Sequence, residues 1–526
     1  MAAGAVDRIF ERRIAALVNL RVPAALHGGL RGLEKETLRV TQTGRVARTP
    51  HPPAIGSALC HPHITTDYSE ALLELVTPAV PDNDALLREL RALQVFVCAQ
   101  LGEEVLWCAS MPCELAGDGD VPIAHYGRSH EGHFKEIYRR GLLNRYGGMM
   151  QAIAGVHFNY SLPKSFWPLW AEVNGARSAG ADFVSARYFD LLRNFRRHGW
   201  LVNWLFGSSP ALCRSFAADA TGLRPHAART LVGPHSTSLR MSDLGYRNRN
   251  QAAVQVSANS LDDYLRDLLH AVHTPHPPFE RIGVKVDGEY RQLSANILQI
   301  ENEFYSSIRP KRAPRAGELT AQALRRGGVE YVEVRALDLD MLAPDSVTAE
   351  QLDFMEALLI LLLFKDSPGL GTDEQEVLDA NQLHVVREGR AAGLTLRRSG
   401  RALPLNDWAA GLLDEMTGIC ELLDAGDPSG RYARALRAQR DKLAQPQLLP
   451  AAQLQRQLLD HQEEFADQAM RLSRQHRQTL LATPLEAGLR DEMAAQARSS
   501  VEMQQRLDRD VSGDFADYLR RRLGGG

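Results

Sequence analysis

The chain has 526 residues, 44% hydrophobic and 24% charged, the balance of a soluble globular protein long enough for one very large domain or several ordinary ones. Its formal net charge of −3 gives no electrostatic case for nucleic acid or an anionic membrane surface as partner. The six cysteines (Cys60, Cys98, Cys108, Cys113, Cys213, Cys420) form no C-x-x-C pair, which argues against a zinc knuckle or a disulfide scaffold and for a reducing, cytoplasmic setting.

The first element expected is an amphipathic helix. Asp7, Arg8, Glu11, Arg12 and Arg13 interrupt the apolar residues there, so no secretory h-region is read. Next comes Gly32-Leu33-Glu34-Lys35-Glu36-Thr37-Leu38-Arg39-Val40, a strand-like run. Alternate strand residues point the same way, so Glu34 and Glu36 share a face with Leu38 and Val40. Two close carboxylates repel, and a divalent cation such as Mg²⁺ relieves this because it selects carboxylate oxygens. An E-x-E on a solvated edge strand has the same spacing, so the pair needs company to mean anything.

The window Thr65 to Pro78 supplies more acids. As a helix it stacks Asp67, Glu70 and Glu74 on one face; as strand, turn, strand it lets Asp67 and Glu74 face each other across the pair. Both readings stay open. Glu74 lies in Leu-Leu-Glu-Leu-Val, where a bare buried carboxylate is expensive without a cation or donor. Further on, Gly155 to Pro163 alternates cleanly, with His157, Asn159 and Ser161 on the polar face of a half-buried strand.

Ser238 to Tyr246 offers Arg240 and Tyr246. Gln299 to Tyr305, read as a strand, puts Glu301, Glu303 and Tyr305 together and leads into the basic run Arg309-Pro310-Lys311-Arg312. That run either binds phosphate or is simply solvated. In Val329 to Arg335 the same alternation pairs Glu333 with Arg335. An acid able to hold Mg²⁺ beside a guanidinium able to hold phosphate suits phosphoryl transfer, which depends on positioning and charge neutralisation. Ala357 to Phe364, bounded by Glu356 and Lys365, is too short to span a bilayer and reads as a buried helix. Beyond about residue 375, residues 451–482 and 484–510 show helical spacing. The expected division is a catalytic region 1–375 and a mainly helical region 376–526 packed on it.

No phosphate-binding G-x-x-x-x-G-K-[ST] loop, G-x-G-x-x-G fingerprint or G-x-S-x-G elbow occurs. ATP, if used, must therefore sit on a sheet of acids and arginines. The windows read together as strands of one antiparallel sheet with metal ligands on its concave face.

Five stretches carry a family resemblance: Gly32 to Val40, Ile64 to Glu74, Gly141 to Gly147, Gly155 to Pro163, and Leu298 to Tyr305 followed by Ile308 to Arg312. In order and wording these resemble the proteobacterial type of glutamate–cysteine ligase, from about residue 29 to about residue 370. The resemblance implies an α+β fold, a curved antiparallel sheet flanked by helices, like the catalytic fold of glutamine synthetase and guanidino kinases. It implies ATP-dependent joining of the γ-carboxyl of L-glutamate to the amine of L-cysteine. Mg²⁺, with Mn²⁺ as alternative, is implied on Glu34, Glu36, Asp67, Glu74, His157 and Glu333. The phosphoryl group and glutamate are implied on Arg240 and Arg335. The cysteine pocket is implied at Tyr138, Gln151, Tyr246 and Tyr305, with Arg139 and Asn159 nearby. The expected partners are these small molecules alone, with no nucleic acid or membrane, and the chain is expected to act as a monomer. Two departures stand out: His130 and His133 replace an expected Asn and basic residue, putting a substrate contact from that loop in doubt, and Tyr68 replaces a Phe in a pocket wall.

Overall fold

The computed structural model describes residues 8–19, 23–218, 220–245, 254–315 and 317–524. Seven strands make the main sheet: β1 (Leu30–Val40), β2 (Ile64–Thr66), β3 (Leu72–Val76), β4 (Val105–Leu106), β5 (Val156–Ser161), β6 (Ile308–Lys311) and β7 (Tyr331–Leu337). Their order is β6-β7-β5-β1-β3-β2, with β4 pairing the end of β1, and every pairing is antiparallel. The window 65–78 is therefore strand, turn, strand: the Asp67 N–H donates to Leu72 O (3.0 Å) and the Leu72 N–H to Ser69 O (2.9 Å), closing a tight turn.

The alternation read in β1 holds, and its second face proves equally charged. Arg31, Lys35 and Arg39 point away from Glu34 and Glu36 and are buried, Arg31 and Lys35 against helices. These include α2 (Asn83–Gln100), capped by Asp82, which accepts from the Ala85 N–H (2.7 Å), and α4 (Ala349–Phe364), opened by a Thr348–Gln351 capping box. The run Ala357 to Phe364 is the buried helix expected, since every α4 residue from Gln351 on is buried. Arg31 Nε donates to Glu356 Oε2 of α4 (3.2 Å), and Tyr432 Oη, from α5 (Arg431–Ala444), donates to the same oxygen (2.7 Å). Lys35 donates to Gln94 of α2, whose amide donates to Asp345 Oδ1 (3.1 Å).

Two sequence readings change. The segment Gln299 to Tyr305 is not a strand; Glu301–Glu303 forms a 3₁₀ turn. Glu303 accepts from the Gln299 N–H (2.7 Å), Arg145 Nη1 (3.0 Å) and Tyr146 Oη (2.6 Å), and that local side-chain bond takes the place of a ladder. The helical stretch 451–482 splits into Pro450–Asp460 and Phe465–Ala482, with Gln462 between them at φ +52°. The region beyond residue 375 also holds a hairpin (Thr395–Arg398 with Arg401–Pro404), and residue 375 itself lies inside the helix Thr372–Glu388. No helix among the described residues is long and apolar enough to cross a membrane.

Burial pulls the Lys35 ammonium from its ordinary 10.5 down to about 8, with Asp345 opposing the shift. An unfolded lysine keeps its proton to higher pH, so between about pH 8 and 10.5 the unfolded chain binds more protons than the folded one, and stability climbs with pH. Lys35→Met should therefore raise unfolding free energy at pH 7 by up to about 3 kcal/mol. The gain should shrink as pH rises through that window. Urea denaturation of both proteins at pH 7, 8.5 and 10 checks this, and a pH-independent difference would contradict it.

Candidate active site

Strand register assembles the acids. Glu36 lies directly opposite Glu74, Glu34 opposite His157, and Asn159 opposite Glu333, and directly opposed residues share a face. Asp67 follows β2 and reaches the same face diagonally from Glu74. His157 Nδ1 stands 3.1 Å from Glu34 Oε2 and 3.7 Å from Glu333 Oε1, and its Nε2 stands 3.4 Å from Glu36 Oε1. Donor atoms of Glu34, Glu74 and His157 fall within 4.8 Å of one another, a spacing that one metal ion could span.

The remaining oxygens are unevenly served. Glu36 Oε2 accepts the Gly155 N–H (2.8 Å), and Glu34 Oε1 accepts from Asn159 Nδ2 (2.9 Å). The Glu74 carboxylate has no hydrogen bond or ion pair among the described residues. Burial, then Glu34, Asp67 and Glu36, push its carboxyl well above the ordinary range. Burial likewise raises Glu36 against the pull of His157. Glu333 goes the other way: burial would raise it, but Lys311, Arg335, His157 and Arg309 hold it well below. Burial and Glu333 also raise Glu34, yet the hydrogen bond and charge of His157 leave it lowered.

The cations line one side. Arg335 Nη1 is 3.1 Å from Glu333 Oε1 and 3.3 Å from His157 Nδ1, and Lys311 Nζ is 3.4 Å from Glu333 Oε2. Arg309 lies opposite Glu333 in the β6–β7 register. Arg240 sits behind Arg335, donating from Nη2 to Arg335 O (3.1 Å), with Asp338 Oδ1 3.7 Å from its Nη1. Gly155 makes that approach possible, because a Cβ there would lie 2.0 Å from Arg240 Nη2.

A cavity of about 110 Å³ opens beside the acids, lined by Glu36, Asp67 and Arg335 and by Tyr138, Arg139, Gln151 and Tyr305 among others. Tyr138 and Arg139 come from α3 (His130–Tyr146), and Arg139 donates to Asp67 O, tying that helix to the β2–β3 turn. Asn159 lies with the acid cluster rather than on the cavity wall. Tyr246 lies outside the described residues. Tyr68 lines the same cavity with its hydroxyl buried and without a hydrogen-bond partner among the described residues. His130 and His133 face away from the cavity, their rings 5.3 Å from Tyr518 and 4.4 Å from Phe515.

Sequence reading left Arg309 and Lys311 as a solvated run or a phosphate binder; here they are counter-charges to Glu333. It missed Gly155 and Asp338 altogether. Gly155 opens the His157 window, so its position offered a signal; Asp338 lies far in sequence from Arg240 and offered none.

Fold and site together define a cleft with acids spaced for cations, guanidinium groups for anions, and an adjoining polar-walled cavity. A family model for glutamate-cysteine ligase matches residues 14–385. The chain is 46% identical over 523 residues to the glutamate–cysteine ligase of Azotobacter vinelandii, with 98% of each chain covered. Against that of Pseudomonas putida (strain W619) it is 46% identical over 512 residues, covering 96% of each. The 2.0 Å crystal structure of glutamate–cysteine ligase from Francisella tularensis, in complex with AMP, matches with a TM-score of 0.89 at 33% identity, covering 95% of this chain and 98% of that one. A bifunctional glutathione synthetase from Pasteurella multocida shares the fold at a TM-score of 0.73 and 22% identity, over 92% of this chain and 58% of that one. This chain belongs to the glutamate–cysteine ligase family and is an enzyme.

Removing one of the crowded charges should stabilise the fold while harming the chemistry. In chelator-containing buffer, Glu74→Gln is expected to raise the thermal midpoint by ~1–2 °C. Differential scanning fluorimetry checks this; a lowered midpoint would mean that Glu74 is satisfied by a partner.

Proposed function

We propose that this chain joins the γ-carboxyl of L-glutamate to the amine of L-cysteine at the expense of ATP, yielding γ-glutamylcysteine, ADP and phosphate, the first step of glutathione biosynthesis. The observation that carries the reading is one sheet face on which Glu34, Glu36, Glu74, Glu333 and His157 converge against Arg335 and Lys311, beside a cavity walled by Tyr138, Gln151 and Tyr305. Identity of 46% to two glutamate–cysteine ligases supports it. So does the AMP held by the Francisella tularensis structure, as a sign of nucleotide use.

The donor set suits Mg²⁺, with Mn²⁺ compatible through the imidazole of His157. Glu34, Glu36, Asp67, Glu74, His157 and Glu333 would hold it. The unpartnered Glu74 carboxylate, raised by its like-charged neighbours, is what a bound cation would relieve. When bound, the ion supplies charge neutralisation at the ATP phosphates.

The protein's own groups then act by position. Arg335, whose Nη1 stands beside Glu333 and His157 and which lines the cavity, neutralises the transferring phosphoryl group and orients glutamate; Arg240 shares that role from behind it. The glutamate γ-carboxylate displaces ADP to form γ-glutamyl phosphate. The cysteine amine, held by Tyr138, Arg139, Gln151 and Tyr305 with Asn159 and Tyr246 contributing, attacks the acyl carbon and phosphate leaves. No side chain forms a covalent intermediate. The chemistry belongs to region 1–375, with the helical remainder as support, in a cytoplasmic protein.

Mass spectrometry after incubation with glutamate, cysteine, ATP and Mg²⁺ should find γ-glutamylcysteine. A stable phosphorylated amino acid with no amide would instead indicate a kinase, and stronger phosphate release with a diamine than with cysteine would indicate another amine ligase. Glu34→Gln should cut turnover by at least about 100-fold with its circular dichroism spectrum unchanged. Mg²⁺ should raise the thermal midpoint of the parent protein and not that of Glu74→Gln.

A further inference from the structure

Two C-terminal helices beyond residue 385, α6 (Ala487–Arg509) and α7 (Phe515–Gly524), lie outside the segment matched by the family model. They grip two loops that lead directly to the cavity wall. The first is Gly56-Ser57, upstream of β2 and Asp67. Ser500 Oγ accepts the Ser57 N–H (2.9 Å), and Ser57 Oγ donates to Gln504. Gly56 has φ +98°, and a Cβ there would come within 2.7 Å of Ser500 Oγ.

The second loop is Tyr126 to Ser129, which enters α3. Asp508 Oδ1 accepts the N–H groups of both Arg128 (2.7 Å) and Ser129 (2.9 Å). Ser129 is itself the α3 N-cap, accepting from the Gly132 N–H (3.1 Å). Gly127 has φ +81°, and a Cβ there would lie 2.5 Å from Asp508 Oδ2. On α7, Phe515 packs its ring 4.4 Å from His133, Tyr518 Oη donates to Glu131, and His130 Nε2 donates to Ser512 O (3.2 Å). One end of α3 is thus anchored by α6 and α7, and further along it carries Tyr138 and Arg139 to the cavity. A helix transmits a shift of its first turn along its axis, ~15 Å over ten residues.

We propose that Asp508 and Phe515 are positioning residues for the amine-substrate wall: α6 and α7 set the placement of α3 and, through Arg139, of the Asp67 turn. The inference rests on the reading of the cavity as the cysteine site. Neither residue touches that cavity.

The test uses the full-length enzyme with each substrate varied in turn. Asp508→Ala and Phe515→Ala are expected to raise KM for L-cysteine about five- to tenfold and leave KM for ATP within about twofold. Asp508→Asn keeps the oxygen that accepts both N–H groups, so it should restore the parent value to within about twofold. Hydrogen–deuterium exchange across residues 126–140 should quicken in both alanine variants and not in Asp508→Asn. Unchanged exchange would overturn the anchoring, and faster exchange with an unchanged cysteine KM would overturn its link to substrate. If the parent enzyme made no γ-glutamylcysteine, the substrate reading alone would fall, while the exchange comparison would still decide whether α6 and α7 hold α3.

Discussion

Everything in this molecule is arranged around a cost: four glutamates and an aspartate crowd one face of an antiparallel sheet, where each disfavours ionisation of the others. The acids come from β1, β3 and β7 and the turn after β2, and His157 comes from β5. A register slip of one residue in any of these strands would carry its acid to the far face. The crowding is therefore possible only if the pairing is fixed, and the back of the sheet fixes it. Arg31, Lys35 and Arg39 alternate with Glu34 and Glu36; Arg31 and Lys35 find buried partners in Glu356 and Gln94 and Arg39 pairs with half-buried Glu104, so β1 cannot slip without stranding bases as well as acids.

Counter-charge is graded across the face. Glu333, beside Lys311 and Arg335, is held well below the ordinary carboxyl range, whereas Glu74, buried among Glu34, Asp67 and Glu36, is pushed toward neutrality. That gradient gives the face a satisfied edge and an unsatisfied one. The unsatisfied edge, Glu74 with Glu34 and His157, is where donor atoms converge within 4.8 Å. The satisfied edge leaves Arg335 on the cavity wall with an Nε that has no hydrogen-bond partner among the described residues. Most of these groups, Glu34, Glu36, Glu74, His157, Glu333 and Arg335, are thus held by strands, in a sheet whose other face is closed by helices.

The alternation rule made β1, β5 and β7 legible, because period-2 patterns of polar residues survive in a strand buried on both faces. The window 65–78 was ambiguous for a physical reason: Asp67, Glu70 and Glu74 satisfy helical spacing as well as a hairpin, and only pairing with β1 decides between them. Glu301 to Tyr305 misled because Glu303 hydrogen-bonds to its own backbone four residues upstream and to Arg145 and Tyr146, interactions that no local pattern announces. The carboxylate partner of Arg31 and the carboxylate that caps the Arg128 N–H lie 325 and 380 residues away, so nothing in their neighbourhoods could disclose them.

Those long separations bear on how the two ends of the chain relate. Tyr432 donates to Glu356, Glu356 accepts from Arg31, and Arg31 lies three residues from Glu34 on the strand that bears the site. Arg431, on the same helix as Tyr432, reaches Asp353 of α4 at 3.0 Å and Asp84 of α2 at 3.2 Å. Helices after residue 375 thus supply side chains to the buried network behind the acid-bearing sheet, and α6 accepts the N–H groups of the loop that enters α3. A boundary drawn near residue 375 divides the chain by composition. The hydrogen bonds cross that boundary: Tyr432 adds a donor to the Glu356 carboxylate that Arg31 already neutralises, and Arg431 neutralises Asp353 one turn earlier on α4, so the support behind the sheet that gathers the acids draws on both halves.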